Sequence, residues 1–160
     1  MEIANLNNRQ VNGLVILRLL IGWHFLYEGI LKVYNPLWTA KGYLLSADGF
    51  LKGFFVNLAG ESMIGIIDFV NIAALLVVGF SLLLGYAERL GAWIGILLLM
   101  LYYLAHPPFP GLAQVNVEGN YWIINKNLIE AAALYILSIM PTGQFFGLGR
   151  LFQKPSIQTN

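Results

Sequence analysis

At least five formally charged residues, Arg18, Glu28, Lys32, Asp68 and Glu130 among them, fall inside long apolar runs. Each costs about 2.5–3.5 kcal/mol at the centre of a membrane helix, so such groups turn towards one another or towards water, and they mark functional sites by default. At about 100° per residue, Arg18, His24, Glu28 and Lys32 share an arc of roughly 120° on the first run. Gly22 and Gly29 lie on or beside that arc and allow a neighbouring helix to come close, while Trp23 and Tyr34 point the other way. His24 with Glu28, and Glu28 with Lys32, are i,i+4 pairs whose side chains can touch. The second run carries Asp68 and Asn71, with Glu61 about two turns before; the third carries Tyr102 and His106; the fourth carries Lys126, Asn127 and Glu130.

A rise of about 1.5 Å per residue, counted from the outer end of each run, places Glu28, Asp68, Tyr102 and Glu130 all roughly 6–8 Å deep. Lys32, Lys126, His106 and Glu61 fall just above that level, His24 below it, and Arg18 deeper still, where it can snorkel to the far headgroups. Three chemistries compete for such a layer. Carboxylates with His, Lys and Tyr can bind a polar headgroup and exchange protons with it, as quinone or quinol chemistry requires. The same groups can relay protons or ions across the membrane. They can also hold a metal, with His24, Glu28, Asp68, Glu130 and His106 as ligands. No metal is expected, because the paired Glu-x-x-His motif of helical di-iron proteins is absent and two lysines compete for the carboxylates. A transport path has only Arg18 in its inner half, and no inverted repeat or broken helix supports one. A purely structural network that ties helices together accounts for the same residues without chemistry.

The elements that position these residues follow from composition. The chain has 160 residues, 58% apolar and only 11% charged, with a mean hydropathy of +0.69. About a quarter of an average soluble domain is charged, so the reading is one integral membrane domain. Nucleic acid is a poor partner, given a net charge of +1 and the lack of a basic patch. With no cysteine, disulfides, thiolate metal sites and cysteine nucleophiles are excluded. Four runs approach the roughly 20 apolar residues of a membrane span: 11–34, 63–84, 87–105 and, shortest, 125–140, which ends at Pro141. The first run is expected to be retained rather than cleaved, since Arg18, His24 and Glu28 interrupt it and no small-residue cleavage site follows.

Four spans put both termini on one side, with Arg9, Arg89, Arg150 and Lys154 against Lys41 and Lys52, joined by Lys32 and Lys126 at span ends, on the other; the slight bias favours cytoplasmic termini. In the first outer loop, Leu51, Phe54, Phe55 and Leu58 recur at helical spacing, predicting a short amphipathic segment at the interface or folded over the helix ends. In the second, His106-Pro-Pro-Phe-Pro-Gly cannot be helix, and residues 115–124 bracket Glu118-Gly119-Asn120 as a small hairpin. Trp38, Tyr43, Tyr121 and Trp122 suit an aromatic belt. GQFFGLGRLF, after the fourth span, reads as an interfacial segment before a frayed tail.

The first span, from Arg18-Leu-Leu-Ile-Gly-Trp-His-Phe to Glu28-Gly-Ile-Leu-Lys32, resembles the opening helix of the DoxX/DoxD-like membrane proteins, with an early Arg, a Phe-x-x-x-Gly turn and a closing Lys. Lys126-Asn127-Leu128 with Glu130 is similar to that family's last helix, and Gly-Tyr-Ala-Glu-Arg-Leu-Gly-Ala suits its third-span entry. The resemblance covers essentially the whole chain. It implies an all-α, four-helix up-down bundle in a bacterial inner membrane, in a family that includes a subunit of thiosulfate:quinone oxidoreductase. No thiosulfate site is visible here. The resulting expectation is a quinone-linked oxidoreductase subunit with a pocket in its outer half. Glu28, Asp68 and Glu130 would exchange protons there, and Arg18, His24, Lys32, Asn71, Tyr102, His106 and Lys126 would bind the ligand. Quinone is the expected cofactor. The expected partners are membrane lipid, a redox protein and a second copy of the chain. A non-enzymatic component that binds a partner or lipid-like ligand is the second expectation, and a proton-coupled transporter the third.

Overall fold

The computed structural model describes residues 7–109, 111–112 and 120–152. Its first helix, α1 (Asn8–Tyr34), begins three residues earlier than the apolar run. The reason is a capping box: Gln10 N–H donates to Asn7 Oδ1 and Asn7 N–H to Gln10 Oε1, each at 2.9 Å. Two short helices follow, α2 (Lys41–Leu45) and α3 (Lys52–Leu58), then α4 (Ile64–Leu84), α5 (Glu88–Ala105), α6 (Lys126–Ile139) and a 3-10 turn at Leu148–Phe152. Three helices, α1, α4 and α5, are long and apolar enough to cross a membrane. Helix α6 has 14 residues and is about 21 Å long, short of the roughly 30 Å hydrocarbon core. The expected fourth span is therefore a helix, but a shorter one than a straight crossing requires.

Glycines set the packing of α1 on α4. A Cβ at Gly79 would stand 2.6 Å from the Leu26 backbone nitrogen, one at Gly22 3.0 Å from Leu82 Cβ, and one at Gly29 2.8 Å from Leu76 Cδ2. As numbers rise along α1 they fall along α4, so the two run in opposite directions. Helix α5 returns beside α4, with Gly91 against Ser81 and Gly95 against Val78, and α6 returns beside α5, with Leu134 on Gly95. The core between them is Phe25, Leu75, Val78, Leu82, Leu99 and Leu134 with their neighbours. Outward, Ile16, Leu20, Trp23, Tyr27 and Leu31 form one exposed apolar stripe along α1.

The first loop folds as two helices rather than one. Phe55 is 3% exposed and joins Ala40, Leu44, Ala47 and Ala105 in a second core, with Leu51, Leu58, Ile64 and Ile67 packed against it. Phe54, expected on the same stripe, is 52% exposed. Asp48 N–H donates to the Ala105 carbonyl at 2.8 Å, tying this roof to the end of α5. In the second loop, β1 (Asn120–Tyr121) pairs antiparallel with β2 (Ile124–Asn125). Its turn falls at Trp122, with φ 59°, and Ile123. Glu118 and Gly119, where the turn was expected, lie outside the described residues. Asn125 then caps α6, its side chain accepting Leu128 N–H at 3.1 Å.

Candidate functional site

Where α1 meets α6, over a shorter length than it meets α4, His24 Nδ1 lies 2.7 Å from Glu130 Oε1. Glu130 is 15% exposed and His24 52%, so the imidazole stands at the outer surface of a membrane helix. One proton is shared across this contact: either the imidazole N–H donates to the carboxylate, or the carboxylic acid donates to the ring nitrogen. One turn further on, Lys32 Nζ donates to Glu28 Oε2 at 2.6 Å and sits 5.3 Å from the centre of the Trp38 ring. The charges of Glu28, His24 and Lys126 act on one another. This part of the expected layer is thus a single electrostatic cluster at the α1–α6 seam.

Tyr102 still feels the Glu28 charge, but the other residues expected in the layer make their contacts away from that seam. Asn71 Nδ2 donates to Tyr102 Oη at 2.6 Å, joining α4 to α5, and Asn71 Oδ1 is buried without a partner. Asp68 Oδ1 accepts Ala40 N–H at 2.8 Å and so anchors the roof. Gly29 faces Leu75 and Leu76, and Asp68 lies eight residues beyond Leu76, about 12 Å further out. It is therefore level with the loop after α1 and not with Glu28. Counting depth from each run's start assumes level helix ends, which the staggered packing of α1 on α4 does not provide. His106 caps α5 beneath α2, with Nε2 3.2 Å from Ser46 Oγ and its ring centre 4.2 Å from that of Tyr43. Tyr43 Oη donates to the Tyr102 carbonyl at 3.1 Å, and burial raises the pKa of its phenol far above the usual value. Glu61 is exposed.

Arg18 belongs to a different site. It is 2% exposed and does not reach headgroups. Its Nη1 donates to Glu88 Oε1 at 2.6 Å and to Thr142 Oγ1 at 3.0 Å, and Nη2 to the Phe146 carbonyl. Thr142 N–H donates to Glu88 Oε2 at 2.8 Å. Glu88 is 4% and Thr142 0% exposed. Main-chain approach makes room for this cluster. Gly85, in the left-handed region at φ 63°, leaves no space for a Cβ beside Arg18 Nη1, and Gly143 packs on the Gly85 carbonyl and the Glu88 carboxylate. Ser81 Oγ–H, shared between the Tyr86 and Ala87 carbonyls at 2.8 and 3.0 Å, holds the turn. A cleft of about 370 Å³ opens beside it, lined by Gly85, Glu88, Arg89, Gly143 and Gln144 among others, at the opposite end of α5 from His106.

Glu88 was not among the residues singled out from the sequence. The signal was available: Arg18 had no assigned partner, and on the side expected for the termini Glu88 is the one acid besides Glu2. Among the described residues no three His, Asp or Glu side chains converge as a metal-ligand set would. Compared with protein-family models, curated proteins and solved structures, the chain matches none.

Proposed function

We propose that this protein is a four-helix, up-down component of a bacterial inner membrane, its termini in the cytoplasm, that binds quinone or quinol at the α1–α6 seam and exchanges protons with its headgroup. The observation that carries this reading is the His24–Glu130 pair. It is an acid–base contact on the flank of a membrane helix, with half of the imidazole uncovered, where a headgroup can approach laterally from the bilayer. A quinol that donates one O–H to this pair leaves one proton there and gives up the second to water at the outer face as its two electrons pass to a redox partner protein. Glu28, Lys32 and Lys126 buffer the charge change. The chain supplies the binding and the proton acceptors, and the partner takes the electrons.

Quinone retained in lipid nanodiscs tests it. The wild-type protein is expected to carry quinone, or to take up an added short-chain quinone. Glu130→Gln and His24→Phe should each weaken uptake about tenfold, the equivalent of about 1.4 kcal/mol, without loss of helix content. Unchanged uptake in both variants would place the ligand elsewhere. No uptake by the wild type would favour the second reading, a non-enzymatic component. The saturation of Glu28 by Lys32 and of Glu130 by His24 is the observation on that side.

A further inference from the structure

The hydrogen bonds around His106 determine its tautomer. Ser46 Oγ has one proton and donates it to the Tyr43 carbonyl at 3.0 Å. With the proton placed there, the 3.2 Å contact between Ser46 Oγ and His106 Nε2 is an imidazole N–H donating to the hydroxyl. The neutral ring therefore carries its proton on Nε2. Its other nitrogen, Nδ1, is a bare acceptor, buried and without a partner. Adding a proton there creates a charged ring with a buried N–H that nothing accepts, a state that costs free energy until water reaches it.

What this imidazole holds is the roof. Tyr43 and Ser46 belong to α2 and its cap, and they are joined to the end of α5 by the His106 contact, the Tyr43–Tyr102 hydrogen bond and the Asp48–Ala105 backbone bond. Beneath α2 lie Asp68 and the Asn71–Tyr102 pair. We propose that His106 is an acid-sensitive latch: neutral, it pins α2 over the outer ends of α4 and α5; protonated, it releases α2 and admits water to Asp68, Asn71 and Tyr102. The titratable groups that face the ring are Asp48, from the segment after α2, Tyr43, from α2, and Tyr102, one turn earlier on α5. Burial keeps the His106 pKa below its usual value, against a hydrogen bond to the Ser46 backbone and the Asp48 charge, both of which favour the protonated ring. A histidine whose pKa is lower in the closed state stabilises that state above the free imidazole pKa of about 6.5, and the stabilisation is lost as pH falls below it.

Amide hydrogen exchange on the full chain in nanodiscs tests the latch, with rates corrected for the intrinsic pH dependence of exchange. Between pH 7.5 and pH 5, protection at Leu44, Ser46, Ala47 and Asp48 should fall about tenfold, while Leu98 and Leu134 in the main core stay unchanged. His106→Gln keeps a donor towards Ser46 but cannot titrate, so its roof should stay protected at both pH values. Ser46→Ala removes the contact and should expose the roof at both. Roof protection that ignores pH in the wild type, that falls equally in His106→Gln, or that falls together with the core amides would overturn the proposal.

Discussion

Replacing Glu88 by Ala should destabilise the protein by about 3–5 kcal/mol, measured by unfolding in mixed micelles, because it strands Arg18 as an unpaired buried charge. Arg18 is 2% exposed, and its Nε already has no partner, so water cannot replace the lost carboxylate without opening the packing of Gly85, Gly143 and Gly147. Arg18→Met should cost a similar amount by stranding Glu88. The double variant Arg18→Met/Glu88→Leu removes both charges and should recover part of the loss. Recovery stays incomplete because Thr142 N–H and the Phe146 carbonyl lose their partners, at about 1–3 kcal/mol for each buried group left unsatisfied. A loss under about 1 kcal/mol for Glu88→Ala would show that the pair is hydrated.

The second large effect is steric. Gly79→Val should loosen or unfold the α1–α4 pair, costing about 3 kcal/mol or more, at the top of the range for overpacked sites. The first added carbon already meets backbone, 2.6 Å from Leu26 N and 2.7 Å from Leu26 Cα, and no rotamer change moves backbone. The whole of α1 must shift, which pulls His24 away from Glu130. Gly65→Ala, on the same helix with nothing within 4 Å, should be neutral or slightly stabilising, since alanine is the better helix former. Comparable losses at both sites would mean that helix propensity, and not the close approach of α1 to α4, is what the glycines serve.

The spans were legible because apolar runs and their stops are local signals. Asn35-Pro36, Gly85 and His106-Pro107 end α1, α4 and α5 where the runs end. The start of α1 was misjudged by three residues because hydropathy was weighed above the Asn7-x-x-Gln10 box, which is equally local. The i,i+4 contact of Glu28 with Lys32 is written in the spacing of one helix, and that ion pair forms. Contacts between helices are a different matter. The stagger of α1 on α4 depends on which glycine meets which leucine, and spacing along one helix does not contain that. Asp68 was therefore placed level with Glu28, whereas it holds Ala40. Arg18 was read as free to reach headgroups because its partner, Glu88, is 70 residues away, at the start of another span. The latch at His106 depends on a three-residue hydrogen-bond count that only coordinates supply.

The proposed place of the quinone headgroup is the seam between α1 and α6. The most direct test is photo-crosslinking with a quinone that carries a photoreactive group on its ring, in nanodiscs, followed by peptide mapping. Label is expected on α1 around His24 to Glu28 and on α6 around Lys126 to Glu130, suppressed by excess unlabelled quinone and lost in Glu130→Gln. Label confined to the cleft beside Arg89 and Gln144, or spread without competition over the exposed stripe of Leu20, Trp23 and Tyr27, would contradict it.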